Sequence, residues 1–208
     1  MAQNPEENNY ALLLKTVDFA AKAHRLQRRK NSEVESEKTP YINHPVDVAL
    51  KLAEAEVKDL AILQAGLLHD TIEDTKTTYD DLVANFGVNV ANIVRECTDN
   101  KSDPKIKRKQ DQIVHAGHAS VAAQLVKSAD KLSNLSDLHL APPPRWSKAE
   151  IDGYFIWSYH VWLAARGNND KLDSQLHDIF AARGITEMSP QKLAEALAAY
   201  YNNINKSE

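Results

Sequence analysis

His69, Asp70, Glu73 and Asp74 place four acid/base or metal-binding side chains within six positions, directly after the apolar run Leu60-Ala61-Ile62-Leu63-Gln64-Ala65-Gly66-Leu67-Leu68. On one helix of about 3.6 residues per turn, His69 stacks with Glu73 and Asp70 with Asp74, so the four groups converge. Gathering them at the end of an apolar helix is costly unless a positive charge sits among them, and a divalent metal is the simplest candidate. The plainer alternative, a polar surface terminus, does not account for the apolar approach.

Two further positions extend this set. His44 precedes Pro45, a residue favoured at the first helical position, so His44 is expected at a helix N-terminus with its imidazole free to ligate. An isolated His-Pro more often packs or caps. Asp130 lies beside the apolar stripe Val126, Ala129, Leu132 and Leu135, with Asn134 one turn on. A carboxylate against a core face needs a partner, either a metal or a salt bridge to Lys127 or Lys131.

Two imidazoles and two carboxylates without a thiolate suit Mn, Fe or Zn better than Mg, Ca or a structural zinc. A metal with open positions lowers the pKa of bound water and polarises a phosphoryl oxygen. Glu73 and Asp74 would then orient and deprotonate that water and handle the leaving-group proton. The alternative for both is a pair of helix-end acids on a solvated face. Two basic clusters, Arg25-Leu26-Gln27-Arg28-Arg29-Lys30 and Lys105-Ile106-Lys107-Arg108-Lys109, either complement helix ends and solvated faces or hold phosphates.

The elements that must position these residues read as helices. Apolar residues recur at three- and four-residue spacing through Leu12–Ala23 and Val46–Ala53, and the same period continues in segments ending at Phe86 and Cys97. Further helices are expected over roughly 105–116, 120–138, 147–166, 169–183 and 189–203. Strand-like alternation is nowhere sustained, so the expectation is an all-α helical bundle of roughly 8–10 helices. The stretch Lys30–Pro40 reads as a solvated loop, Pro142-Pro143-Pro144 ends the helix carrying Asp130, and Gly167-Asn168-Asn169 makes a third break. The segment from Gln191 to Glu208 reads as a loosely attached final helix.

The bulk numbers bound the function. The chain has 208 residues and a net charge of −4, with a pI near 6.1. It suits one domain over residues 1–208, and the charge argues against nucleic acid or anionic membrane as partner. The expected partner is a small molecule. Cys97 is the only cysteine, and the start Met1-Ala2-Gln3-Asn4-Pro5-Glu6-Glu7 lacks the regions of a signal peptide, so a cytoplasmic protein is expected. No apolar stretch approaches the roughly 18 residues of a membrane span. A homo-oligomer is compatible with the sequence, the stretch from Glu187 onward being the one that could serve assembly.

The order His44, His69-Asp70, Asp130 resembles the ligand order of the HD superfamily of metal-dependent phosphohydrolases. More specifically, Tyr41-Ile42-Asn43-His44-Pro45, Leu67-Leu68-His69-Asp70-Thr71-Ile72-Glu73-Asp74-Thr75 and Ala129-Asp130-Lys131-Leu132-Ser133-Asn134-Leu135 look like the hydrolase domain of the RelA/SpoT-type alarmone synthetase/hydrolase family. Within it the chain is most similar to the stand-alone small alarmone hydrolases. The likeness covers about residues 19–184, which leaves 185–208 as a C-terminal extension and no room for a synthetase domain. It implies an all-helical HD domain that uses one Mn2+ per site to cleave the 3′-pyrophosphate from (p)ppGpp, giving GDP or GTP and pyrophosphate. By position it implies His44, His69, Asp70 and Asp130 as metal ligands and Glu73 and Asp74 as catalytic acids. It further suggests Arg29, Lys30 and Asn134 as nucleotide contacts, and Lys107, Arg108 or Lys109 as a phosphate contact.

Two departures stand out. The loop Asn31–Lys38 is longer than is usual in that family, and Ser133 stands where relatives often carry His or Tyr. Adenosine alarmones and the 2′-phosphate of NADPH therefore remain alternative substrates for the same site. A non-catalytic nucleotide-binding domain is the third reading.

Overall fold

The computed structural model describes residues 5–205, with side chains from 9 to 204. The first four residues of the start read above, and residues 206–208 of the extension, lie outside that range. Among the described residues the chain forms α1 (Pro5–Ala23), α2 (Asn43–Glu54), α3 (Leu60–Leu68), α4 (Thr71–Asp74), α5 (Tyr79–Phe86), α6 (Val88–Cys97), α7 (Lys105–Ala116), α8 (Val121–Leu140), α9 (Lys148–Ala165), α10 (Asp170–Ala181) and α11 (Pro190–Asn205). Ten of these exceed a single turn, and the only extended pairing among the described residues is an isolated bridge between Arg28 and Pro40. The all-α expectation is met.

Local chemistry sets the helix starts. Thr78 with Asp81 and Ser147 with Glu150 form reciprocal capping boxes at α5 and α9, while the Asn169 side chain accepts from the Lys171 and Leu172 amides at α10. Each cap satisfies amides that the first helical turn leaves without partners. Between α5 and α6, Gly87 turns the chain at φ 86°, a backbone that side chains with a Cβ rarely adopt.

The core forms where α2, α3, α6 and α8 meet. α3 buries Ile62, Ala65, Leu67 and Leu68, and its Gly66 lets α2 approach closely, since a Cβ there would lie 2.8 Å from Leu52 Cδ1. Gln64 is satisfied within this apolar helix by donating to Thr16 Oγ1 at 2.9 Å. α8 buries Val126, Ala129, Leu132 and Leu135 as its spacing predicts, and also Lys127, Ser128, Lys131 and Ser133. No helix among the described residues is long and apolar enough to cross a membrane.

Two expectations change, and the loop 30–40, solvated as expected, gains definition. The continuous helix through His69–Asp74 is broken: α3 ends at Leu68 and α4 starts at Thr71, with Asp70 at ψ −2° between them. Thr71 Oγ1 donates to the Leu68 carbonyl at 2.7 Å and His69 Nδ1 donates to the Gly66 carbonyl at 2.9 Å, so side chains take acceptors at the helix end. The loop 30–40 is tied down by Arg29 N to Thr39 O at 2.8 Å, Tyr41 N to Gln27 O at 3.1 Å and Asn31 Nδ2 to Thr39 Oγ1 at 2.7 Å. The final helix is firmly seated. Tyr200 and Ile204 of α11 are buried with Ala116, Trp157, Val161 and Ala165 in a second apolar cluster.

Candidate metal centre and active site

The start of α2, the end of α3 and the middle of α8 converge on one point. One ligand atom each from His44, His69 and Asp130 lies within 4.8 Å of the others. His44 Nε2 is 3.1 Å from Asp130 Oδ1, and His69 Nε2 is 3.7 Å from the same oxygen. Asp70 Oδ2 joins the group at 3.0 Å from His69 Nε2 and 3.8 Å from His44 Nε2, and it accepts the Tyr41 hydroxyl at 2.6 Å. The four residues read as ligands are thus brought together across three helices.

The imidazoles are oriented from behind. A carbonyl can only accept, so His69 Nδ1 carries the proton it gives to Gly66, which leaves Nε2 to ligate through its lone pair or to take a second proton. That buried Nε2 has no aligned hydrogen-bond partner despite the nearby carboxylate oxygen. A lone pair facing two carboxylates is unfavourable unless a cation lies between them. The donor set and this orphaned nitrogen therefore fit a divalent metal, with Gly66 and Ser133 behind the rings as outer supports.

Charge in the cluster follows the same logic. With no metal among them, burial works against the charged form of His69, but Asp70 and Asp130 outweigh it and hold the imidazole pKa well above its ordinary value, so a proton at Nε2 takes the place a metal would fill. Burial likewise opposes the Asp130 and Asp70 carboxylates. Lys131 chiefly pulls Asp130 well below the ordinary range, and His69 chiefly does so for Asp70. Lys131 Nζ reaches Asp130 Oδ2 at 2.8 Å and Asn134 Nδ2 reaches Oδ1 at 2.6 Å. Of the two lysines considered as partners of Asp130, Lys131 takes that place and Lys127 does not.

The two acids of α4 point to different sides. Glu73 accepts the Asp99 amide at 3.0 Å and lies 3.8 Å from Arg108 Nη1. Burial first, then the neighbouring carboxylates Asp99 and Asp70, push its pKa up to about 7, against the Asp99 amide, which lowers it. Asp74 Oδ2 accepts from Gln27 Nε2 at 2.8 Å, and Lys101 pairs with Oδ1. Glu73 lines a cavity of about 140 Å3 and Asp74 one of about 630 Å3. The smaller is lined by all four of His44, His69, Asp70 and Asp130, and the larger adjoins it, sharing Tyr41, His44 and Asn134.

The larger cavity holds most of the residues read as nucleotide contacts. Arg29, Lys30 and Asn134 line it together with Trp146 and Tyr154. Arg29 donates to Asn134 Oδ1 at 3.1 Å and to Asp137 Oδ2 at 2.6 Å, so its guanidinium is fixed at the rim. The three basic residues of α7 diverge. Lys107 pairs with Asp103 and Asp111 on an exposed face, Arg108 turns towards Glu73, and Lys109 lies 3.3 Å over the Trp157 ring.

Sequence reading passes over Tyr41 as a hydrogen-bond donor to Asp70, Lys101 as the partner of Asp74, and Lys127 in the wall of the smaller cavity. Tyr41 and Lys127 each stand three residues before a candidate ligand, His44 and Asp130. That one-turn spacing is the signal that could have found them.

Comparison with known proteins agrees with this geometry. The HD domain model matches residues 16–159. The chain is 48% identical over 176 residues to guanosine-3′,5′-bis(diphosphate) 3′-pyrophosphohydrolase MESH1 of Danio rerio, covering 84% of this chain and 96% of that protein. The Homo sapiens MESH1 protein is 48% identical over 177 residues, covering 85% of this chain and 97% of its own. A solved structure of a metazoan ortholog of SpoT that hydrolyzes ppGpp superposes with a TM-score of 0.79 at 41% identity, covering 84% of this chain and 97% of that one. An HD domain with this cluster implies a divalent metal. The chain belongs to the HD-domain family of guanosine-3′,5′-bis(diphosphate) 3′-pyrophosphohydrolases.

Proposed function

We propose that this protein is a manganese-dependent enzyme that hydrolyses the 3′-pyrophosphate of guanosine-3′,5′-bis(diphosphate), giving GDP and pyrophosphate. The observation that carries this reading is the placement of Glu73 in the smaller cavity, whose walls include His44, His69, Asp70 and Asp130, and of Asp74 in the adjoining larger one. His44, His69, Asp70 and Asp130 would hold the metal. When bound, it supplies Lewis-acid polarisation of the phosphoryl group and a more acidic water.

The chain's own residues divide the remaining work. The larger cavity takes the nucleoside, with Arg29, Lys30 and Asn134 against its sugar and phosphates. Water approaches the phosphorus on the ribose 3′ oxygen from the opposite side, where Glu73 lies. Glu73 accepts a proton from the water, the water oxygen bonds to phosphorus, and the bond from phosphorus to the 3′ oxygen breaks. Asp74, on the nucleoside side, manages the proton that the 3′ oxygen takes. A carboxylate with a pKa of about 7 suits the exchange of a proton at neutral pH. We further infer that residues 1–208 act as one domain and that the reaction takes place in the cytoplasm.

The test is release of pyrophosphate from guanosine-3′,5′-bis(diphosphate) and its adenosine counterpart, and of phosphate from NADPH, by manganese-loaded protein, beside Glu73→Gln and Asp74→Asn. The expected result is pyrophosphate from the guanosine substrate, reduced about 100-fold or more in each variant with metal still bound. Near-normal turnover in both variants, or turnover of another nucleotide only, would refute the reading.

A further inference from the structure

Three ammonium groups approach the cluster from α7 and α8, and two have partners. Lys131 pairs with Asp130 at 2.8 Å and lies 4.6 Å over the Trp157 ring. Lys109 sits 3.3 Å over that ring and 4.7 Å over Tyr154. Lys127, one turn before Lys131, is only 8% exposed and lines the smaller cavity beside Glu73, Gln112 and Cys97. Among the described residues it makes no ion pair, side-chain hydrogen bond or ring contact. Its stem packs in the core, as lysine stems do, and its charged end remains open to a ligand. Lys127 thus lines a polar cavity of about 140 Å3 without an acidic partner of its own.

The two cavities sort the substrate. The larger, at about 630 Å3, has room for a nucleoside. The smaller adjoins it at Tyr41, His44 and Asn134, is lined by the cluster itself and is too small for a nucleoside, but it has a cation in its wall. We propose that Lys127 binds the terminal phosphate of the substrate's 3′-pyrophosphate in the smaller cavity. The water oxygen bonds to the phosphorus on the ribose 3′ oxygen, the bond from that phosphorus to the 3′ oxygen breaks, and the 3′ oxygen takes a proton. The freed pyrophosphate, now carrying the water oxygen, keeps Lys127 as its counter-charge until release. An anion of this charge density is what a buried ammonium recognises as a point charge.

The assignment rests on the pyrophosphohydrolase reading, and the two fail separately. Wild-type protein that releases no pyrophosphate from the guanosine substrate overturns that reading; Lys127 is judged by direct binding. Pyrophosphate and GDP are titrated by calorimetry, with manganese in excess, into wild type, Lys127→Met and Lys127→Gln. The expected result is a pyrophosphate dissociation constant raised about tenfold or more in both variants, the loss of one charge-assisted contact. GDP binding stays within about twofold of wild type, since its site is the other cavity. The thermal midpoint of Lys127→Met stays close to that of wild type, because the lysine has no ion pair or side-chain hydrogen bond to lose. Unchanged pyrophosphate affinity overturns the assignment, and so does a loss of both ligands together with a lowered midpoint or a failure of both variants to fold, which marks Lys127 as structural.

Discussion

Ser133 Oγ lies 3.0 Å from His44 Nδ1, so the middle of α8 braces the imidazole at the start of α2. The hydroxyl can accept from Nδ1–H, and in that tautomer Nε2 turns its lone pair toward Asp130 and His69. Ser133 is almost fully buried, so water does not replace it readily. Ser133→Ala should therefore weaken metal binding about 10- to 100-fold, as loss of an outer support to a metal-binding His does, with a smaller effect on the metal-free fold. Titration of manganese into the chelated variant checks this. Wild-type affinity would show that the ring is held by packing alone.

Metal should stabilise the folded chain. His44, His69, Asp70 and Asp130 crowd lone pairs and negative oxygens into a small volume, an arrangement that the unfolded chain does not preserve. At free manganese of 100 times its dissociation constant the gain is about 2.7 kcal/mol. The thermal midpoint should rise with manganese, fall back with chelator, and respond far less in Asp130→Asn.

Glu73 imposes a pH dependence of known sign. Burial first, and then the carboxylates around it, raise the folded-state pKa from 4.5 to about 7. The group's contribution to stability is fully present below about 4.5, where both states are protonated. It is lost as pH rises to about 7, because the unfolded chain ionises first. Glu73→Gln removes that loss, so in metal-free protein its thermal midpoint should gain on wild type between pH 5 and 8. Parallel midpoints across that range would contradict the burial of this carboxyl.

Gly153 is where α9 admits α11. A Cβ at this position would lie 2.3 Å from Tyr200 Cδ2, on a ring whose own burial leaves little room to move. Gly153→Ala should cost about 1–3 kcal/mol by overpacking, read as a lowered thermal midpoint. Combining it with Tyr200→Ala should recover part of the loss, since the two positions are in contact and do not act additively.

The site was legible where residue type and short spacing carry the information. His44-Pro45 marks a helix start, and His69-Asp70 after an apolar run marks a buried helix end. Asp130 beside a clear apolar stripe points inward for the same reason. The break between Leu68 and Thr71 was not legible, because Thr71 and His69 divert acceptors from the helix and nothing in their spacing announces it. The three directions of Lys107, Arg108 and Lys109 depend on partners elsewhere in the chain, Trp157 and Glu73 among them. The seating of α11 likewise depends on Trp157 and Gly153, more than 40 residues before Tyr200. Local pattern shows that such a helix is amphipathic and leaves its partner unspecified.

Water attack on the phosphorus that bears the ribose 3′ oxygen is the central claim, and isotope placement tests it most directly. Manganese-loaded protein is allowed to hydrolyse guanosine-3′,5′-bis(diphosphate) in water enriched in oxygen-18, beside Asp70→Ala, and both products are analysed by mass spectrometry. The account predicts one labelled oxygen in pyrophosphate, none in GDP, and no turnover by the variant. Label in the ribose hydroxyl of GDP, or undiminished turnover by Asp70→Ala, would contradict it.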